Sequence, residues 1–218
     1  MGGSPSERSA RTYPRRTERA AQTRARILAA AGELFAGGYA PTTMKAIARR
    51  AGVSVESVYL AGSKAELLAA AMTRAFTGGD DDGPLSQNDR YAAVFALPTA
   101  QALDLYVDLV TASIERSDPL WRTARAAADA EPEIAALLAR AQARRTADVA
   151  EAGPWLVSRG LIAPAQMEDA IATLSVLVAH ETFEHFVDTF GWSRARYADW
   201  LRDALDRLIV RRNGDRPS

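Results

Sequence analysis

The chain has 218 residues, 48% of them hydrophobic and 25% charged, an ordinary globular composition at a length that can bury a sizeable core. It holds no cysteine, which excludes a disulfide framework, thiolate zinc and a cysteine nucleophile and fits a reducing, cytoplasmic setting; no apolar run reaches the roughly eighteen residues of a membrane span. The formal net charge of zero conceals an asymmetry: residues 1–77 carry 12 basic and 5 acidic side chains, net +7, and residues 78–218 carry 15 and 22, net −7. That pattern reads either as a polyanion-binding head on a body that repels polyanions, or as two unrelated domain surfaces.

Strand signals are nearly absent and helical spacing runs throughout, so the expected fold is all-α. Residues 1–18 read as a disordered basic arm, with Arg8, Arg11, Arg15 and Arg16 among Ser, Pro and Gly. It has no apolar stretch of the kind a secretory signal needs. A first helix is expected from about Glu18 to Ala36, its stripe made of Ile27, Leu28, Ala31, Leu34 and Phe35 and its end marked by Gly37-Gly38. Thr43 is a good cap for a second helix through Ile47 and Ala51, closed by Gly52, and Ser54 caps a short third through Val58 and Tyr59. Ser63 with Glu66 forms a capping box for a fourth helix.

The acidic stretch around Asp80-Asp81-Asp82 reads as a solvated loop. Beyond it come expected helices from about Thr99 to Arg116, from an Asp118 cap with Pro119 in first position, over about 132–158, over about 164–189 and over about 194–211. The total is about nine helices. The expected domains are the arm at 1–18, a three-helix head at 19–64, a larger helical bundle at 65–212 and a tail at 213–218.

The segment Thr42 to Tyr59, TTMKAIARRAGVSVESVY, has the form of a helix-turn-helix. Ala48 is small where the paired helix approaches, Gly52 can take the left-handed turn conformation, and Val53 plugs the space between the helices. Ser54 then satisfies free amides at the start of a helix able to enter a major groove.

The stretch from Ala25 to Leu68, containing RILAAAGELFAGGYAPTTMKAIARRAGVSVESVY and SKAELL, resembles the DNA-binding domain of TetR-family regulators. The resemblance implies a homodimer that binds a double-stranded DNA operator, with the last two long helices of each chain meeting their mates. It also implies a body pocket for a small-molecule effector and, in most such proteins, repression released by that ligand. Matching positions suggest phosphate contacts from Thr42, Thr43, Ser54, Tyr59 and Lys64, and base reading by Val55, Glu56 and Ser57. Glu56 is open to two readings, acceptor from a cytosine amino group or favourable charge in a first helical turn. The sequence departs from the family pattern between Tyr59 and Lys64, which is one residue short and carries no phenylalanine.

In the body, Tyr106, Trp121, Trp155, His180 and Phe183 are candidates to line the effector pocket, core filling being the commoner role of such residues. His180 and His185 lie five apart, about 140° around a helix, and so cannot chelate one metal as a zinc-protease pair would. His180 with Glu184 and Glu181 with His185 are i,i+4 pairs instead. Tyr197, Trp200, Leu201, Ala204 and Leu208 form an apolar seam facing either the core or a partner helix, with a share in the dimer contact favoured. Neither a cofactor nor a metal is expected, and no catalytic constellation is legible. The alternatives to a ligand-controlled regulator are a DNA-acting enzyme carrying a helix-turn-helix and a protein-interaction module with a basic head.

Overall fold

The computed structural model describes residues 12–79 and 83–210, and the described residues form helices without a strand. α1 spans Thr12–Phe35, α2 Met44–Ala51, α3 Val55–Ala61 and α4 Lys64–Thr77. A short 3₁₀ turn at Leu85–Gln87 leads into α5, Asp89–Ala96, followed by α6, Thr99–Ala128, α7, Pro132–Ala150, and α8, Ala152–Ser158. A second 3₁₀ turn at Pro164–Gln166 precedes α9, Met167–Leu177. α10, His180–Glu184, and α11, Arg194–Leu205, each continue into a π-helical turn.

The first four helices form where the caps and apolar spacing predict them. α1 begins at Thr12, so residues expected at the end of the basic arm are helical, and the rest of that arm lies outside the described residues. The acidic triplet at 80–82 and the tail lie outside them as well.

Several expectations for the body are corrected, among them the helix over 132–158, which divides at Glu151 into α7 and α8. Asp118 and Pro119 do not open a new helix, because α6 runs through them unbroken. Pro119 has no N–H to give the preceding turn, but Ile114 and Leu120 on either side of it are buried, and burial of that face outweighs the lost bond. Ser117 Oγ donates to Ser113 O at 2.7 Å within the same turn. Asp118 accepts from Arg122 Nε at 2.7 Å instead of capping. The helix over Asp89–Ala96 was not expected at all; Asn88 caps it by accepting from Arg90 N at 3.2 Å.

The expected helix over 164–189 breaks at Val178-Ala179. Ala179 is extended, with φ −76° and ψ 146°. The break disturbs the carbonyl ladder at three consecutive residues, of which Val176 O still accepts from Ala179 N at 3.2 Å, and three side chains complete it. Arg145 Nη1 donates to Ser175 O at 2.8 Å, Thr182 Oγ1 to Val176 O at 2.6 Å, and Tyr197 Oη to Leu177 O at 2.6 Å. Buried carbonyls without such partners would each cost about 1–3 kcal/mol.

Two cores result. One joins Ile27, Phe35, Ile47, Val58 and Leu67 of α1–α4 to Leu120 and Trp121 of α6 and Ile134 of α7. The other packs Val107, Ile114, Leu174, Phe183, Tyr197 and Leu201 within the body. The first crosses the expected boundary near Lys64, so α4 ties the N-terminal helices to the body through packed side chains.

Candidate nucleic-acid interface and body cavity

The turn between α2 and α3 is locked from two directions. Gly52, at φ 64°, gives its N–H to Arg49 O, and Val53 N–H reaches Ala48 O at 3.1 Å, which is a Schellman closure. From α1, Arg26 donates to Ala51 O from Nε at 3.1 Å and from Nη2 at 2.5 Å, and to Gly52 O at 2.8 Å. Arg24 Nη1 donates to Ala61 O at 2.9 Å and so holds the end of α3. A cation on α1 thus fastens the last turn of each helix of the pair, where carbonyls lack helical partners. Gly62, at φ 145°, ends α3 before Ser63 opens α4.

The predicted head residues divide. Ser54 Oγ accepts from Ser57 N at 3.1 Å and so caps α3, and it meets Ser57 Oγ at 2.9 Å at the start of that helix. Val55, Glu56 and Tyr59 are exposed, Tyr59 at 64%. Thr43 is exposed and accepts from Ala46 N at 3.1 Å. Thr42 is a correction: it is 4% exposed, and its hydroxyl donates to Gly38 O at 2.8 Å and Leu34 O at 3.1 Å. That side chain fastens the end of α1 and is not presented to a phosphate. Lys64 lies half-buried with Nζ 4.0 Å from the Tyr39 ring centre, and burial lowers its pKa against the opposing pull of Glu131.

Lys45 and Arg49, both exposed on α2, are not among the contacts expected from the sequence. Only the placement of α2 beside α3 reveals their position. Arg50 is engaged by Glu33, its Nε donating at 2.6 Å.

In the body a cavity of about 390 Å³ opens among α4, α6, α7, α8 and α9. Tyr106, Trp121, Trp155 and His180 line it. Phe183 does not: it is buried at 4% exposure, with its ring edge-to-face on Tyr197 at 5.1 Å. His180 stacks on Trp121 at 4.5 Å, and burial lowers its pKa to about 4, leaving it neutral. The expected pairs of His180 with Glu184 and Glu181 with His185 do not form. Glu184 takes Arg125, Nη2 donating to Oε1 at 2.6 Å, and Glu181 takes Trp121 Nε1 at 3.3 Å. His185 is exposed and meets Thr189 Oγ1 at 3.4 Å. Among the described residues no three His, Asp or Glu side chains converge as a metal site.

The apolar seam of α11 is also corrected. Tyr197 and Leu201 are fully buried and Ala204 is 9% exposed, all within the chain's own core. Leu208, 46% exposed, faces outward, and Trp200 is half-buried with its ring against Phe186, Trp192 and Tyr197. Val176 at 64% and Phe190 at 57% are further exposed apolar side chains of the body.

Residues 27–71 match the family of bacterial regulatory proteins, tetR family. Among solved structures, the chain is similar to a crystal structure assigned to a TetR-family transcriptional regulator of Mesorhizobium loti MAFF303099. Identity is 24% and the TM-score 0.64, over 88% of this chain and 98% of that one. It is also similar to a HlyIIR mutant protein carrying a GSSGSSG linker, at 18% identity and TM-score 0.54, over 91% of this chain and 99% of that one. At such identities the likeness is one of fold. No curated protein matches the chain. No helix of the described residues is long and apolar enough to cross a membrane.

Proposed function

We propose that this chain, whose residues 27–71 match the tetR family of bacterial regulatory proteins, is a sequence-specific DNA-binding regulator of transcription that works as a homodimer and is released from its operator by a small molecule. The observation that carries the reading is the start of α3. Val55 and Glu56 stand exposed on a helix whose first turn is capped by Ser54, and whose angle is fixed by the Schellman closure and by Arg24 and Arg26. A helix N-terminus so presented can meet base edges while its amides favour phosphate.

In this reading Val55, Glu56 and Ser57 face bases, while Thr43, Ser54, Tyr59 and Lys64 position the backbone together with Lys45 and Arg49. Trp200, Leu208, Val176 and Phe190 supply apolar surface for a second copy, setting two recognition helices about 34 Å apart. Coupling runs through α4. It starts next to α3, packs against α1 and α6, and lines the cavity with Met72, Thr73 and Phe76. An effector that fits the cavity in only one position of α4 shifts the separation of the heads, because it binds the two shapes unequally. We read it as a repressor whose block at the operator the effector relieves.

Selection from duplexes with randomised centres, at rising salt, tests this. The expected result is a palindromic site whose affinity falls steeply with salt. Weak binding with no sequence preference at any salt defeats the proposal.

A further inference from the structure

The cavity wall is apolar over most of its extent, with Met72, Phe76, Val110 and Leu174 on it. Polar groups interrupt that wall, among them Arg140, Arg144, Arg145, Asp148, Glu151 and Tyr106. Arg145 spends Nη1 on Ser175 O, its Nε is buried without a partner, and no carboxylate among the described residues pairs with it. Of the acids nearby, Glu181 is engaged with Arg125 at 3.4 Å and Asp148 with Arg144 at 3.8 Å, and Glu151 on the same wall makes no ion pair with Arg145; Glu181 still pulls on Arg145 through space. Tyr106, on the facing helix, lines the same cavity, and its hydroxyl has no hydrogen-bond partner among the described residues. Arg145 and Tyr106 are near enough to influence each other's ionisation, and burial lowers the pKa of Arg145 and raises that of Tyr106. Trp155 Nε1 on the same wall is buried without a partner too.

A guanidinium in a largely apolar cavity with no carboxylate in direct contact is costly, and a hydroxyl and an indole N–H with nothing to donate to add to that cost. An anion relieves the first, and oxygen acceptors relieve the others. The shape calls for a compact planar anion on an apolar body, since a carboxylate matches the fork of a guanidinium and a cavity of this size suits a small organic molecule. We propose that the cavity takes an amphiphilic monocarboxylate, its hydrocarbon portion along the apolar wall and its carboxylate on Arg145 and the Tyr106 hydroxyl. The inference rests on the cavity being the effector site. Because the same guanidinium holds Ser175 O at the break between α9 and α10, head-group binding reaches that break directly.

The test is calorimetric titration of the full chain at neutral pH with decanoate, decanol and decyltrimethylammonium. Decanoate should bind at least about tenfold more tightly than decanol, and the cation should not bind. Arg145→Gln should bring decanoate down to the level of decanol and leave decanol unchanged; Arg145→Lys should restore part of the preference; Tyr106→Phe should weaken decanoate several-fold. If decanol matches decanoate in the wild type, or Arg145→Gln keeps the preference, the carboxylate assignment is overturned while the cavity survives as an effector site. If none of the three amphiphiles binds, the assignment and the cavity reading fall together. Circular-dichroism melting of each variant separates these outcomes from misfolding.

Discussion

His180 Nε2 lies 2.9 Å from Ser117 Oγ, and the serine hydroxyl gives its own proton to Ser113 O at 2.7 Å. The ring nitrogen is therefore the donor, and Nδ1 is a bare acceptor, buried without a partner. This tautomer has no means of holding a second proton at low cost, which agrees with the pKa near 4.

The pH dependence of stability follows. An unfolded histidine titrates near 6.5, and His180 in the fold near 4. Between those values the unfolded chain binds more protons, so the contribution is fully present above about pH 6.5 and is lost as pH falls toward 4, by about 3 kcal/mol in all. Asp118, which burial raises to about 6, works oppositely, since its folded form holds a proton that the unfolded form releases. The readout is thus a difference: urea midpoints of wild type and His180→Gln from pH 7.5 to 4. The wild type should lose the extra increment; parallel curves would contradict the assignment.

The helix-turn-helix should be sensitive to its fastening. Gly52→Ala places a side chain at φ 64° and 3.1 Å from Arg26 Nη2, a cost of about 1–2 kcal/mol. Arg26→Ala removes all bonds to the Ala51 and Gly52 carbonyls and should cost a similar amount. Denaturant titration measures both losses. Each variant should also bind operator DNA more weakly at temperatures where it remains folded.

The exposed head residues should separate by role. Lys45→Ala and Arg49→Ala should weaken binding about equally across sequences and lower the slope of log affinity against log salt by about 1 each. Glu56→Ala should instead change which base is preferred at one position of each half-site. An unaltered preference would leave Glu56 its other role, as a favourable charge at the start of α3.

Two leucines, Leu201 on α11 and Leu208 in the π-helical turn that follows it, should behave oppositely. Leu201→Ala, at a fully buried position, should cost about 2–5 kcal/mol of stability. Leu208→Glu, at a position 46% exposed, should leave monomer stability nearly unchanged and weaken self-association in sedimentation velocity. Loss of stability without loss of association at Leu208 would place the dimer surface elsewhere.

The head was legible in the sequence because its information is local. Caps at Thr43, Ser54 and Ser63, glycines at Gly52 and Gly62, and the stripe from Ile27 to Phe35 act within a few residues of themselves, so composition and spacing locate each helix. Thr42 was misread because a threonine before a helix looks the same whether its hydroxyl faces solvent or the previous helix. Helix α6 was misread because Pro119 is a strong local breaker, and only the buried faces around it overrule that signal.

In the body, helix content, apolar faces and several cavity residues could be read from periodicity, which determines what is buried but not against what. Tyr197, Leu201 and Leu208 share one seam in the sequence, yet the first two fill their own core and the third faces out. Likewise Arg145, Tyr106 and the carbonyl of Ser175 are distant in the chain. Their convergence on one cavity, with an unpaired cation in an apolar wall, depends on three helices packing together, and long-range packing alone decides which buried polar groups find partners and which are left to a ligand.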